Sequence, residues 1–313
     1  MHSMLDAAAT AIALPYPALV AQLQATLRDS LVHVPPRLIQ PLPGGGSLFV
    51  MPANDARIAI VKLITFTPAN SDGTKHAQHC APAIQGDVVV FDALTGRRIA
   101  IIDGPTVTAR RTAAVSLLAA QRLAHNIKGP LLIVGAGVQG RAHLDAFHAG
   151  LPLSEVWIAS RSALSANALV HYARSLGLNA QRADDPNAAL AHCPLVVTTT
   201  PAQKVVLHAM PRADAFIAAV GAFTPRMAEW DAAICRRLAA EGTLVVDTRD
   251  ADQEAGDLLL AGIDVSDLPT LADVIDDRQW REHRLRRATG PVFFKSCGWA
   301  GWDLAAARCL TAV

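Results

Sequence analysis

Apolar and polar positions fall in alternating blocks through the middle of this 313-residue chain. Leu131-Leu132-Ile133-Val134 is an unbroken apolar run that ends in glycines, as a parallel strand buried on both faces does. Val138 to Ala149 reads as a helix stopped by Gly150. Val156 to Ala159 is the next strand, and a helix follows from about Ala163 to Ser175. Further strands are predicted at Leu195–Thr199, Phe216–Val220 and Thr243–Asp247. Strands alternating with helices predict βαβ units, and so a parallel sheet with helices on both faces.

The first third has a different texture. Prolines and glycines crowd Pro35 to Gly46, among short strand-like runs. Ile58–Thr67 is one such run. Asp87–Phe91 and Arg98–Ile102 flank a turn at Asp92–Gly96, which predicts an antiparallel hairpin. This portion reads as a separate α+β domain. Arg111 to His125 is a helical stretch that joins the two domains, ended by Asn126-Ile127-Lys128-Gly129-Pro130. Asp276 to Arg287 reads as a solvated helix face. Phe293 to Leu310 reads as an apolar helix, carrying Lys295 and Asp303, that packs back onto the first domain. The predicted division is 1–112 with 290–313, and 113–289.

Composition narrows the function classes. Hydrophobic residues make up 51% of the chain, enough for a sizeable core. Lys and Arg number 28 against 27 Asp and Glu, so no basic excess points to nucleic acid or an anionic membrane. The five cysteines are scattered, with no Cys-x-x-Cys pair, which fits reduced thiols in a cytoplasmic protein. Ala7 to Leu14 lacks a basic flank and is broken by Pro15 and Pro17, so it reads as folded structure and not a signal peptide. No apolar run reaches the roughly 18 residues of a membrane span. His76, His79 and Cys80 have a ligand-like spacing, but no partner cluster matches them, and no metal site is expected.

The sharpest motif is Gly135-Ala136-Gly137-Val138-Gln139-Gly140, a full Gly-x-Gly-x-x-Gly between a predicted strand and a predicted helix. The first glycine permits the tight turn, the second lets backbone approach a pyrophosphate, and the third allows close helix–strand packing. The helix N-terminus adds unpaired N–H groups and the positive dipole end. The chain therefore reads as a Rossmann-type, nicotinamide-dependent oxidoreductase. About twenty residues on, where an acid would bind a ribose 2′-hydroxyl, stands Ser160-Arg161-Ser162. A guanidinium between two hydroxyls suits a 2′-phosphate, which favours NADP(H) over NAD(H). The plainer alternative is a solvated arginine. No Gly-x-Ser-x-Gly elbow supports a hydrolase.

Basic residues also stand in apolar or proline-bounded settings. Arg37 follows Pro35-Pro36, Lys62 interrupts Ile58-Ala59-Ile60-Val61, and Arg110-Arg111 opens a helix. Such arginines can clamp a carboxylate, and such a lysine can be an acid–base group of lowered pKa. A strand lysine also commonly just points at solvent.

Taken together, the residues resemble the ornithine cyclodeaminase/mu-crystallin family over nearly the whole chain. The marks include Pro36-Arg37, Val61-Lys62-Leu63 with Pro68-Ala69-Asn70, Phe91-Asp92-Ala93, Arg111-Thr112-Ala113-Ala114, and Gly135 to Gln139. They continue at Thr199-Thr200-Pro201, Val220-Gly221-Ala222, Glu229-Trp230-Asp231, Glu254-Ala255-Gly256-Asp257 and Phe294-Lys295-Ser296. The resemblance implies a homodimer whose first domain, with the C-terminal helix, binds substrate and makes the dimer, around a central Rossmann domain. It places Arg37, Lys62 and Arg111 on the substrate carboxylate, with Lys62 also assisting proton transfer, and Asp231 at an acid–base position that a plain helix cap would explain equally well. It places Thr112, Val138 and Gln139 among cofactor contacts; Gly135, Gly137, Gly140, Thr199, Thr200 and Val220 complete that expected set. Ser160, Arg161 and Ser162 resemble the Asn-Arg-Thr of NADPH-binding members.

The resemblance implies action on small amino acids or cyclic imino acids. Gly221-Ala222-Phe223-Thr224-Pro225 replaces the Gly-Gly-Asp-Cys-Pro of ornithine cyclodeaminases, and no acid ends the second strand. The favoured expectation is therefore an NAD(P)H-dependent reductase of pyrroline- or piperideine-2-carboxylate. Ornithine cyclodeamination, alanine or other amino-acid dehydrogenation, and a non-enzymatic binding role like that of mu-crystallin are the alternatives.

Overall fold

A computed structural model describes residues 3–67, 82–201, 204–276 and 290–311. They form two compact units, 1–111 with 299–313, and 112–298.

The first unit is a six-stranded sheet with helices. Its strands are β1 (Ser3–Leu5), β2 (Leu38–Pro41), β3 (Ser47–Asn54), β4 (Ile58–Phe66), β5 (Ile84–Asp92) and β6 (Arg98–Asp103), in the order β1-β6-β5-β4-β3-β2. β2 to β6 pair antiparallel, and β1 joins β6 in parallel. The helices are α1 (Ala7–Ala13), α2 (Tyr16–Arg28) and the C-terminal α10 (Ala300–Thr311), with α3 (Gly104–Leu123) crossing the division between the units. α3 starts earlier than the sequence suggests, with Pro105 in its first turn, where a missing N–H costs nothing. α10 packs on α2, β3 and β4.

Burial alternates strictly along β4 from Ile58 to Leu63. One face of the sheet carries the row Met51, Lys62, Val88 and Ile102, and beside it Ala53, Ile60, Val90 and Ala100. All eight are buried. The opposite face carries Pro52, Val61, Val89 and Ile101, with Leu38, Val50 and Leu63 beside them, each partly or fully exposed. A slip of one residue would move Lys62 from one face to the other, so the apolar pattern fixes where that lysine points.

The second unit is a seven-stranded parallel sheet. Its strands are β7 (Leu131–Val134), β8 (Glu155–Ala159), β9 (Asn179–Arg182), β10 (Leu195–Thr198), β11 (Phe216–Ala219), β12 (Thr243–Val246) and β13 (Val292–Lys295). The order β12-β13-β11-β10-β7-β8-β9 reverses direction at β7 and β10, the switch point where Rossmann sheets bind dinucleotides. β7, β10, β11, β12 and β13 are buried throughout, which is why β7, β10, β11 and β12 read as short, mostly apolar runs. The helices are α4 (Val138–Gly150), α5 (Ala163–Ser175), α6 (Pro186–Ala189), α7 (Ala232–Glu241), α8 (Gly256–Leu259) and α9 (Leu271–Asp276).

Two expectations change, and one strand is new. Residues 290–298 belong to the second unit, because β13 lies between β11 and β12. Phe293 to Leu310 is accordingly a strand, a turn and a helix, since Val-Phe-Phe bounded by Gly290-Pro291 suits the centre of a sheet better than a helix. β9, an edge strand of Asn, Ala, Gln and Arg, lacks the apolar run by which its neighbours announce themselves. Most of the stretch Asp276 to Arg287, together with His76, His79, Cys80 and Pro68-Ala69-Asn70, lies outside the described residues. Among the described residues, no helix is long and apolar enough to cross a membrane.

Candidate active site

In the second unit, the glycine loop runs from the end of β7 into α4. Gly135 has φ 115°, and a Cβ there would stand 2.7 Å from both the carbonyl and the hydroxyl oxygen of Thr199. A Cβ on Gly140 would lie 1.9 Å from the Gly135 carbonyl oxygen. A Cβ on Gly137 would meet nothing within 4 Å. The first and third glycines thus serve packing, whereas the second faces open space. Gly137 caps α4 without any side-chain hydrogen bond, so the first-turn N–H groups of Val138, Gln139 and Gly140 are not consumed by a cap. A pyrophosphate fits this arrangement.

His143 steadies the loop from behind. It is fully buried, with Nδ1 2.8 Å from the Gln139 carbonyl oxygen and Nε2 3.0 Å from Ser116 Oγ, whose own backbone lies one turn past Thr112 on α3. Burial lowers its pKa to about 4, so the ring is neutral near pH 7.

Ser160-Arg161-Ser162 follows β8 directly. Ser162 caps α5, its Oγ accepting the Ser165 N–H at 3.2 Å. Arg161 is exposed and has no carboxylate partner among the described residues. That leaves its guanidinium available to a phosphate.

The loops after β10 and β11 are tied together by Glu229, a residue of 0% exposure. Its carboxylate accepts from Thr198 Oγ1 at 2.7 Å, Thr200 N–H at 2.6 Å, Thr200 Oγ1 at 2.9 Å and Gly221 N–H at 2.8 Å. Thr199 Oγ1 donates to the Gly135 carbonyl at 3.1 Å, and the Val220 N–H donates to Thr198 at 2.9 Å. Burial, then the nearby Asp257 charge, raises the Glu229 carboxyl above its ordinary range, against the pull of Lys295. Asp257 accepts the backbone N–H groups of Glu229 and Trp230 and sits 2.9 Å from Lys295 Nζ. Burial works against the Lys295 charge, but Asp257 and Glu229 outweigh it and hold the ammonium above its usual range. Lys295 also donates to the Ala222 carbonyl. This network fixes the strand ends next to the glycine loop. The sequence signals it only as acids in apolar surroundings.

In the first unit, the buried row of β4 brings Lys62 to α10. Lys62 is 1% exposed, and its Nζ lies 2.7 Å from Asp303 Oδ2. Arg111 Nε donates to Asp303 Oδ1 at 3.1 Å. The Nη nitrogens of Arg111 make no hydrogen bond to the described residues, although the side chain is 7% exposed. Arg37 is half-buried, just before β2, and its charge is felt at Lys62. Burial lowers Lys62 from 10.5 to about 8; Asp303 opposes the fall, while Arg111 and Arg37 add to it. Among the described residues, Lys62 and Arg111 share the single buried carboxylate of Asp303, an arrangement suited to an incoming anion.

Asp231 stands at the N-terminus of α7. Its Oδ1 caps the helix, accepting the Ala233 N–H at 2.8 Å, and its Oδ2 is 3.9 Å from His208 Nδ1. The side chain is 40% exposed.

Comparison with known proteins follows the same lines. The sequence profile of the ornithine cyclodeaminase/mu-crystallin family matches residues 3–312. Delta(1)-pyrroline-2-carboxylate reductase 1 of Burkholderia multivorans is 37% identical over 308 residues, 97% of this chain and 93% of the relative. Delta(1)-pyrroline-2-carboxylate/Delta(1)-piperideine-2-carboxylate reductase of Azospirillum brasilense is also 37% identical, with the same coverage of each chain. Among solved structures, Thermococcus litoralis Delta(1)-pyrroline-2-carboxylate reductase, in complex with NADH and L-proline, matches with TM-score 0.85 at 21% identity, over 98% of this chain and 95% of that one. By its sequence along nearly the whole length, the chain belongs to the ornithine cyclodeaminase/mu-crystallin family.

Proposed function

We propose that the protein is an NADPH-dependent reductase of small cyclic imino acids, of the Δ1-pyrroline-2-carboxylate and Δ1-piperideine-2-carboxylate type. The observation that carries this reading is the buried cation cluster of Lys62 and Arg111, with one carboxylate between them and the Arg111 Nη edge unclaimed. Relatives 37% identical along nearly the whole chain bear this activity in their names.

Arg111, with Arg37, binds the substrate carboxylate in a charge-assisted fork and so fixes the C=N carbon. Lys62 gives a proton to the imine nitrogen. With its pKa near 8, it is mostly charged at pH 7, yet a far better acid than a free lysine. A bound NADPH would supply the hydride equivalent by which the protonated C=N becomes a cyclic amine. Lys62 is the better-placed proton source, because Asp231 spends one oxygen on its helix and is partly exposed. Thr112, Gly135, Gly137, Val138, Gln139, Gly140, Thr199, Thr200 and Val220 hold the dinucleotide, and Ser160, Arg161 and Ser162 hold its 2′-phosphate.

The active protein is a homodimer through the outer face of the six-stranded sheet. Val50, Val61, Leu63, Val89 and Ile101 form an apolar patch there that a monomer leaves partly open to water.

The deciding experiment follows NADPH absorbance over a panel of imino acids and amino acids. Consumption with pyrroline-2-carboxylate supports the reading. Proline and ammonia from ornithine, without net cofactor turnover, would replace it with cyclodeamination. Failure of NADPH to bind would leave a non-enzymatic role.

A further inference from the structure

We propose that Asp303 is a positioning residue for this reaction: it divides its carboxylate between Lys62 and Arg111, keeping the first charged and the second turned toward the substrate. The role rests on the reductase reading of the first unit, but its physical core can be measured without turnover.

Both oxygens of Asp303 are engaged, Oδ2 by Lys62 Nζ at 2.7 Å and Oδ1 by Arg111 Nε at 3.1 Å. The residue is 0% exposed, so these contacts are made out of water, where a lone charge is costly. Gripping Arg111 through Nε leaves the Nη edge for a ligand. The ammonium of Lys62, ion-paired to Oδ2 at 2.7 Å, carries three N–H donors, of which a substrate nitrogen can take one.

The helix that delivers Asp303 is itself locked. Arg308, further along α10, is 5% exposed and bonds Asp55 Oδ2 through Nε at 2.6 Å and Asp29 Oδ2 through Nη2 at 2.5 Å. It also donates to Thr26 Oγ1 at 3.3 Å. The rotation of α10 is thus set at one end by Arg308 and at the other by Asp303. Asp303 also stands in the first turn of α10, where the helix dipole favours an anion.

Among the described residues, the charged groups that act on Lys62 are Asp303 from α10, Arg111 from α3 and Arg37 ahead of β2. Asp303 is the only one among them that favours the ammonium. Arginine does not lose its proton in proteins, so a cluster deprived of Asp303 relieves itself at Lys62. A neutral Lys62 has no proton to give an imine.

The chain has five lysines, Lys62, Lys75, Lys128, Lys204 and Lys295, so protein labelled with 13C at lysine Cε gives a countable spectrum. The Lys62 resonance, identified by its loss in Lys62→Met, is titrated in the wild type and in Asp303→Asn. The wild-type midpoint falls near 8, and that of Asp303→Asn falls below the wild type's. The basic limb of kcat/KM moves with it, KM for the imino acid rises, and Asp303→Glu restores part of both. A Lys62 midpoint unchanged in Asp303→Asn overturns the proposal. Should Asp303→Asn fail to fold, Asp303→Glu carries the test: a longer carboxylate that leaves both the midpoint and KM untouched overturns it equally. A wild-type protein that reduces no imine, yet whose Lys62 midpoint drops in Asp303→Asn, sinks the reductase reading and leaves the Asp303–Lys62 coupling standing.

Discussion

Replacing Lys62 with methionine should make the protein more stable and inactive. Lys62 is charged at neutral pH inside the core of the first unit, and burial is the largest influence on it. Its fall from 10.5 to about 8 means that the folded state binds this proton less tightly than the unfolded chain does. At about 1.4 kcal/mol per tenfold change in affinity, the charge costs the fold roughly 3 kcal/mol, the attraction of Asp303 already included. The sign follows from proton counting. Below pH 8 both states carry the proton and the whole penalty applies. Between 8 and 10.5 the unfolded chain holds a proton that the folded protein has released, so stability rises with pH. Above 10.5 the penalty is gone. Methionine fills nearly the same volume without charge, and Arg111 remains to neutralise Asp303. Urea unfolding of the two proteins at pH 7 should therefore favour Lys62→Met by up to roughly 3 kcal/mol, and the gap should close as pH approaches 10.5. Loss of the proton donor should lower kcat by about 100-fold or more. A Lys62→Met protein less stable than wild type at pH 7, or a gap indifferent to pH, would refute the reasoning, because it would mean that the ion pair outweighs desolvation.

Other outcomes follow from the same geometry. Arg161→Glu should lower kcat/KM for NADPH by about 10- to 100-fold and leave NADH use nearly unchanged, since it removes one charge-assisted contact to a phosphate; steady-state kinetics with both cofactors reads this. Gly137→Ala should fold normally and bind NADPH weakly, whereas Gly140→Ala should lower Tm, because only the second meets backbone at 1.9 Å; fluorescence titration and thermal unfolding separate them. His143, held at about 4, contributes roughly 3 kcal/mol at pH 7 that is lost as pH falls from 6.5 toward 4, since the unfolded ring takes up a proton first; His143→Gln should flatten this acid limb in urea unfolding. Val61→Asp, on the outer sheet face, should give monomers by light scattering while unfolding cooperatively.

The sequence showed most clearly what local physics determines. Strands such as Leu131–Val134 lie under helices on both faces, so every residue is apolar and the run is visible without its neighbours. The glycine loop was visible because backbone geometry demands Gly135 and Gly140. β2 and β3 escaped notice because their sheet has one open face and their residues are mostly half-exposed. β9 escaped as a polar edge. Arg37, Lys62 and Arg111 stand out in the sequence as cations in apolar or proline-bounded settings and take a shared role from the family resemblance, whereas Asp303 is legible only as a charge on an apolar helix. Its meaning depends on Arg111, 192 residues earlier in the chain, and no spacing rule reaches so far. Glu229 was quoted as a mark but given no role, because its partners Thr198, Thr200 and Gly221 converge only once the strands align.

The route of the chain through the first unit bears on how the protein is made. Lys62 and Arg111 leave the ribosome before any strand of the seven-stranded sheet, and Asp303 only after the last of them. Until α10 arrives, Lys62 and Arg111 lack the carboxylate of Asp303, and the faces of β3 and β4 that α10 packs on are uncovered. The seven-stranded unit, continuous in the chain, can close first, and the first unit is completed only later. A chain interrupted before α10 would thus keep the glycine-loop unit while lacking the carboxylate of the proposed substrate cradle.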